Sequence, residues 1–462
     1  MIAETTAAAV LQEALKGGAD FAELFLEDSD GTTVSMTGGK VETAVYRRTR
    51  GAGVRVLLGD RSAYAYTADI SERALLDTAR AAAAALRGGA ARAVLPFSGA
   101  AFATAAVKPF SGVGNAARAA LLRRMTDAAR AVSPEITQTT ATYLDKVRRI
   151  FLYNSEGLCC RDESPRTRAC LQAVASVDGQ AQTGFAGPGC RRGFEAYDGA
   201  IDVETAGREA ARMAVTMLHA PECPAANAPV VIDGGFGGVI FHEACGHSLE
   251  ATSVGRGNSE FCGKLGQRVA ADCVSAVDDG TLENEWGSMN VDDEGNAPRR
   301  NLLIDHGVLT GYLIDRVGAR RMGMAATGSA RRQDYTKAPT SRMTNTFLCP
   351  GSDDDEEMIA GMEEGLYARR MGGGSVNPAT GEFNFAVGEG YWVKNGAVVS
   401  PVRGATLIGK GAEILPLIDR VGKRMWMEQG LCGSLSGLVP TNVGQPRIRV
   451  QRMTIGGKGD RL

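Results

Sequence analysis

Two histidines stand five residues apart in His242-Glu243-Ala244-Cys245-Gly246-His247, and the chain of 462 residues contains only four. Two imidazoles can share a metal ion. The Glu243 carboxylate beside the first can take a proton from a water that the metal activates. That set of side chains suits metal-assisted hydrolysis. The spacing needs help, because positions i and i+5 of a regular α-helix lie about 140° apart around the axis, too far for one ion. A locally widened turn, or unwinding at Gly246, would bring the rings together. A distorted turn is therefore predicted over Ala244–His247. From these residues alone, a pair of structural histidines is the alternative.

A catalytic zinc site needs a third protein ligand and an open position. His219 closes a helical stretch and His306 sits in the turn Asp305-His306-Gly307, so both are expected at the surface. Cys245 lies inside the motif, three residues from His242, close to the ion without being an obvious ligand. Gly430-Leu431-Cys432-Gly433 offers a thiol in what reads as a glycine-rich turn, and a thiolate matches the borderline softness of zinc.

These residues must be positioned by the elements around them. Val230 to Phe241 reads as a strand and a glycine-punctuated entry into the motif helix. Just before it, three prolines fall within Pro221–Pro229. Prolines at that density cannot occupy a regular element, so the segment is predicted to separate an N-terminal domain, 1–220, from a C-terminal domain, 230–462. The N-terminal domain alternates. A helix is expected to about Leu15, then strands at Phe21–Glu27, Thr32–Met36 and Gly53–Leu58 with a Gly38-Gly39 hairpin turn. Helices follow at Ser71–Leu86 (Asp69 and Glu72 as a capping box), Asn115–Val132 and 203–219. The stretch 91–115 reads as loop turns, and strands are expected from Ile136 as a meander to Ala186. The C-terminal domain concentrates the 59 glycines and reads as strands, with helices at Asp353–Tyr367 and Glu413–Val421. The predicted fold class is α+β: a mixed α/β N-terminal domain and a largely β-sheet, barrel-like C-terminal domain carrying the metal-site helix.

Composition narrows the classes. Apolar content of 44% and charged content of 23% suit a globular protein. A net charge of −2 gives no footprint for nucleic acid or an anionic membrane, and no apolar run is long enough to span a bilayer. Ten cysteines without paired spacing and an N-terminus lacking a basic, apolar leader point to a reducing, cytoplasmic setting. Gly404–Lys410 fits most of a phosphate-binding loop, but Gly411 stands where the magnesium-binding hydroxyl belongs. Arg316, Arg320, Arg321, Arg331 and Arg332 read as a salt-bridged face, with phosphate or a substrate carboxylate as the alternative. Asp353–Glu357 reads as an acidic helix start.

Several blocks together resemble the TldD/PmbA family of metallopeptidases: the motif through Ser248-Leu249-Glu250, Arg342–Thr346, Gly404–Gly409, and Gly430–Gly433 followed by Val443-Gly444-Gln445-Pro446. The chain is most similar to the metal-bearing TldD branch. The resemblance implies that His242, His247 and Cys432 ligate Zn²⁺ and that Glu243 is the catalytic base. It implies hydrolysis of small or unfolded polypeptides in an enclosed cavity between two subunits, either a homodimer or a heterodimer with a TldE/PmbA-like subunit. The rival is a non-catalytic peptide-binding or assembly subunit with structural zinc or none. Two departures stand out. Ser434-Leu435-Ser436-Gly437 replaces a common Lys-x-Gly-Gln, and Cys245 replaces a plain apolar residue, which bears on substrate preference and on redox sensitivity of the site. An extended substrate is expected along a strand edge, with Arg342–Thr346 as the candidate.

Overall fold

The first strand does not end where its apolar run ends. In the computed structural model, which describes residues 2–86, 88–90, 92–377 and 380–460, β1 runs over Phe21–Thr37 and joins two strands expected separately. Gly31 permits this: a Cβ there would lie 2.2 Å from the Asp145 carbonyl oxygen of the neighbouring strand. The Gly38-Gly39 turn, with φ of 55° and 83°, returns the chain as β2 (Lys40–Leu58). β3 (Arg61–Thr67), β4 (Ser98–Ala103), β5 (Ile136–Asn154), β6 (Leu158–Val177), β7 (Gln180–Ala186) and β8 (Gly189–Cys190) complete an eight-stranded sheet. β4 falls where loop turns were expected. It is exposed along its whole length and pairs in parallel with β6, so no burial alternation marks it in the sequence.

Helices cover one face of this sheet. α1 (Glu4–Leu15) and α2 (Glu72–Ala85) bury Leu11, Leu15 and Leu75 against Leu24, Val54 and Val56. α3 (Asn115–Arg130) and α4 (Val203–Leu218) bury Leu122, Met125 and Ala211 against Val34, Tyr143 and Leu171. The cap of α2 is Ser71, whose hydroxyl accepts the Ala74 N–H. Asp69, expected to head a capping box, instead accepts the Ser71 N–H.

Alternation along the strands sends Glu23, Phe25 and Arg148 to the opposite face, against the second half of the chain. There Glu23 meets Arg55 at 2.7 Å and Arg332 at 2.6 Å. Arg55 also meets Glu294 at 2.7 Å, and Arg148 meets Asp293 at 2.8 Å. The Arg332 guanidinium lies 4.0 Å from the centre of the Phe25 ring. Burial pushes the Glu23 carboxyl up, but Arg55 and Arg332 outweigh it and hold the group below the usual carboxylate range.

The second half contains β9 (Ala226–Ile232), β10 (Ala276–Asp279), β11 (Arg300–Asp305), β12 (Val308–Leu309), β13 (Ala330–Arg331), β14 (Thr340–Ser341), β15 (Asn345–Leu348) and β16 (Glu364–Asn377). It continues with β17 (Glu382–Lys394), β18 (Ala397–Val402), β19 (Thr406–Lys410), β20 (Ile418–Val421), β21 (Trp426–Ser434), β22 (Gly437–Gln445) and β23 (Ile448–Gly456). The ring β16–β9–β23–β19–β17 closes on itself through the β16–β17 pairing, with β18 and β20 at its margins. This is the barrel expected for the glycine-rich half, and the fold is α+β. A second sheet runs in the order β12-β11-β10-β15-β22-β21.

Three expectations fail here. Pro229 lies inside β9 rather than in an irregular linker. Its missing N–H is tolerated because the pairing with β23 jumps from Val450 to Met453 opposite it, leaving a bulge. The helix expected over Asp353–Tyr367 stops at Ala360, and Glu364 onward joins the barrel, because Leu366 and Ala368 face its core. The helix expected over Glu413–Val421 covers Gly411–Ile414 and a tight turn, after which Ile418–Val421 is strand. No helix among the described residues is long and apolar enough to cross a membrane.

Removing the Glu23 carboxylate leaves the buried Arg332 guanidinium without a carboxylate partner and Arg55 with Glu294 alone, between the sheet and the second half of the chain. Glu23→Ala is expected to cost about 3–5 kcal/mol, read as a fall in the urea unfolding midpoint. A midpoint within error of the parent protein would show that these charges contribute little.

Candidate metal centre

β9 delivers the chain through Gly234–Gly238 into a helix that begins at Val239. One side of this helix is apolar. Phe241, Ala244 and Cys245 pack into the core with Phe383, Phe385 and Leu407 of the barrel. The turn then widens: the His247 N–H bonds the His242 carbonyl, five residues back. A tighter turn follows over His247–Leu249. The predicted distortion is therefore present, running over His242–Gly246. Of the two routes expected, the widened turn is the one taken, and the helix does not unwind at Gly246. Gly246 has ordinary helical dihedrals, φ −54° and ψ −51°. What it provides is room, since a Cβ there would lie 2.2 Å from Met343 Sδ.

Cys432 arrives from the other side. It does not sit in a glycine-rich turn but in the body of β21, opposite Val439 of β22. The chain reverses later, at Leu435 and Ser436, with Gly437 at φ 86°. Gly430 and Gly433 are strand residues. The hairpin places the Cys432 sulfur 3.3 Å from His242 Nε2 and 3.2 Å from His247 Nε2. The three donor atoms lie within 4.8 Å of one another, and all three residues are buried. The imidazole centroids are 5.1 Å apart with the rings nearly perpendicular, at 83°. Donors bound tetrahedrally to one zinc ion stand about 3.5 Å apart, from Zn–S and Zn–N bonds of about 2.3 and 2.0–2.1 Å. The residues present fit such an ion.

The surroundings favour the ionised thiol. Burial raises the Cys432 pKa, but the His242 and His247 imidazoles bring it down to about 3. Burial lowers the pKa of His247, yet Glu250 and Cys432 together push it well above the usual imidazole value. A thiolate is the form that binds metal. Glu250, buried, lies 3.2 Å from His247 Nδ1. Among the described residues the equivalent atom of His242, Nδ1, has no hydrogen-bond partner, so the two imidazoles are supported unequally. The Glu243 side chain is 30% exposed, with Oε2 3.8 Å from His247 Nε2. It stands on the open side of the cluster.

Arg342 joins the two halves of the cluster. It is fully buried. Its guanidinium donates to the Cys432 carbonyl at 2.6 Å, the Gly437 carbonyl at 2.8 Å and the Ser436 hydroxyl at 3.0 Å, and its Nε lies 3.9 Å from Glu250. Neither Arg342 nor Glu250 is marked as a support of the metal ligands by its place in the sequence. Glu250, three residues beyond His247, was the findable one, since residues three apart on a helical turn share a face.

The remaining candidates lie elsewhere. His219 is exposed against Glu135, and His306 occupies a turn at φ 43°. Cys245 faces the core, where burial pushes its thiol well up; the packing removes it from the open side of the site. Lys410 ends a barrel strand and meets Glu382 at 3.4 Å, so Gly404–Lys410 is not a phosphate loop. Arg316, Arg320 and Arg321 pair with Glu156, Asp20 and Asp60. Asp354 caps a helix start, as expected of the acidic run. β15, whose approach Arg342–Thr346 was the expected substrate edge, is interior and pairs with β10 and β22. The terminal strand of that sheet is β21, which carries Cys432.

The sequence matches three domain models of one metallopeptidase family. These are PmbA/TldA metallopeptidase domain 1 over residues 22–86, the central domain over 108–218 and the C-terminal domain over 225–457. The chain belongs to the PmbA/TldD family of metallopeptidases. It is 33% identical over 451 residues to the metalloprotease TldD homolog of Haemophilus influenzae, a span of 95% of this chain and 93% of that one. A crystal structure from Thermotoga maritima, described as a putative modulator of a DNA gyrase, superposes with a TM-score of 0.80 at 19% identity over 98% of this chain and all of that one. TldE from Thermococcus kodakarensis does so with a TM-score of 0.76 at 17% identity, over 98% of this chain and all of that one. Both share the fold.

The two kinds of glycine around the cluster make opposite predictions. Gly246→Ala drives a methyl group into Met343 and is expected to cost about 1–3 kcal/mol, the usual range for overpacking. Gly430→Ala meets nothing closer than 3.5 Å among the described residues and is expected to be neutral or stabilising. Chemical denaturation of both variants reads this, and equal losses would contradict the packing described.

Proposed function

We propose that the protein is a zinc-dependent peptidase, with His242, His247 and Cys432 as ligands and Glu243 as general base. The observation that carries this reading is the convergence of two buried imidazoles and one thiolate from segments far apart in the chain. The set of one sulfur and two nitrogens favours zinc over harder cations, which prefer oxygen. When bound, zinc would acidify a water and polarise the scissile carbonyl. Glu243, on the open side, takes the proton from the attacking water and returns it to the leaving amine. Glu250 orients His247 as an ion-pair partner 3.2 Å from Nδ1, and Arg342 holds the Cys432 backbone.

The substrates proposed are small or unfolded polypeptides, cut in a cavity enclosed between two subunits. The partner is a second copy or a TldE/PmbA-like subunit, and the setting is cytoplasmic. The same reading divides the chain into 1–220 and 230–462, the second part holding the whole metal centre.

Glu243→Gln is expected to keep zinc while losing at least ~10²-fold in peptidase rate, the lower range for acid–base catalysis. An undiminished rate removes Glu243 from the role. Cys432→Ser is expected to lose zinc on dialysis, and a full equivalent retained counts against the ligand set. Glu250→Gln is expected to weaken zinc binding by about 10–100-fold, measured by competition with a chelator. Unchanged affinity would leave Glu250 a purely structural residue.

A further inference from the structure

Behind the hairpin that carries Cys432 lies a cavity of about 230 Å³. Cys432 pairs with Val439, whereas Leu431 pairs with Pro440 and Gly433 with Leu438. Side chains alternate across a strand, so Leu431, Leu438 and Pro440 face away from the thiol. They form one wall. The facing wall comes from β5 and β6 of the N-terminal sheet, and Trp286 lies between. Leu431 and Leu438 are 53% and 52% exposed and mark the mouth.

The cationic residues of this cavity are unusual. Lys146, Arg148, Arg166, Arg331 and Arg332 line it. Three have carboxylate partners: Lys146 with Glu27, Arg148 with Asp293 and Arg332 with Glu23. Arg166 and Arg331, both buried, have no carboxylate within 4 Å among the described residues. Arg166 donates Nε to the Trp286 carbonyl and Nη2 to the Ser288 carbonyl. Arg331 donates to the carbonyls of Met343 and Pro440. Neutral carbonyls satisfy N–H groups but leave the charge uncompensated, and a buried charge without a counter-charge is costly. Asp162, Asp278 and Asp293 act on the pair only from farther away. Burial, with repulsion from neighbouring arginines, lowers the pKa of both guanidinium groups, that of Arg331 to about 10.

We propose that this cavity binds a carboxylate borne on a small apolar body, either the C-terminal residue of a peptide or a free acid of amino-acid size. The two uncompensated guanidinium groups supply the counter-charge, in the planar geometry that suits carboxylates. Trp286, Leu431 and Leu438 take the apolar part. The volume lies below the roughly 300–1,000 Å³ of sites for larger ligands, which limits the occupant to about one residue. The site is on the reverse face of the hairpin from the metal centre, so it stands or falls independently of the peptidase reading.

The test is calorimetric titration of the full chain after metal removal by chelator, so that failure here says nothing about zinc chemistry. The ligands are N-acetylleucine, N-acetylleucinamide, inorganic phosphate, and the tetrapeptide Ala-Ala-Ala-Leu with a free or amidated C-terminus. The free acids are expected to bind about tenfold or more tighter than their amides, the worth of one charge-assisted hydrogen bond. Tighter binding of the tetrapeptide acid than of N-acetylleucine identifies a peptide end, and the reverse identifies a free acid. Arg166→Met is expected to abolish the difference between acid and amide. Leu438→Trp, at an exposed position, blocks the mouth without disturbing a buried charge and is expected to weaken the acid comparably. Equal affinity for acid and amide, phosphate binding as tightly as N-acetylleucine, no binding of any acid, or acid binding unchanged by Leu438→Trp would each overturn the proposal.

Discussion

A sulfur that meets two imidazoles lying 190 and 185 residues earlier in the chain can be held at 3.2–3.3 Å only if both carriers are fixed by something other than that contact. The barrel fixes one. It grips the apolar side of the motif helix, so that widening over His242–Gly246 turns both rings outward together. The β21–β22 hairpin fixes the other, and Arg342 ties that hairpin through the Cys432 and Gly437 carbonyls to the neighbourhood of Glu250. Glu250 lies between the two sides, 3.2 Å from His247 Nδ1 and 3.9 Å from Arg342 Nε. Zinc would close an arrangement already shaped by packing and hydrogen bonds.

Buried arginine recurs as the means of joining parts. Arg55, Arg148 and Arg332 bind the N-terminal sheet to the second half through Glu23, Glu294 and Asp293. Arg331 and Arg342 bind the hairpin through backbone carbonyls. The guanidinium fork can satisfy several acceptors at once while keeping its charge. Where the acceptors are carboxylates, the charge is neutralised and the contact is structural. Where they are carbonyls, the charge is left over, and that residue of charge distinguishes the cavity behind the hairpin from the ion pairs around it.

The motif helix could be read from the sequence because everything that defines it is local: the spacing of His242 and His247 demands a widened turn, and the apolar residues beside it demand a core. The barrel followed from glycine and strand content for the same reason. Nonlocal facts were invisible. Gly430 and Gly433 look like turn residues in sequence, and only pairing with β22 shows them inside a strand. Arg342–Thr346 looks like any half-buried strand, and its neighbours on both sides come from positions about 70 residues earlier and 100 later. Pro229 argues against a strand until the bulge opposite it is seen. Arg342 spends its donors on carbonyls some 90 residues distant, a role that no spacing rule could announce.

The most direct test is anomalous diffraction at the zinc absorption edge, on crystals of protein purified without added metal and supplied with one equivalent of zinc. A single strong peak is expected, bounded by His242 Nε2, His247 Nε2 and Cys432 Sγ at distances of about 2.0–2.3 Å. A peak located elsewhere, or a cluster without anomalous signal and with the Cys432 sulfur turned away from both rings, would contradict it.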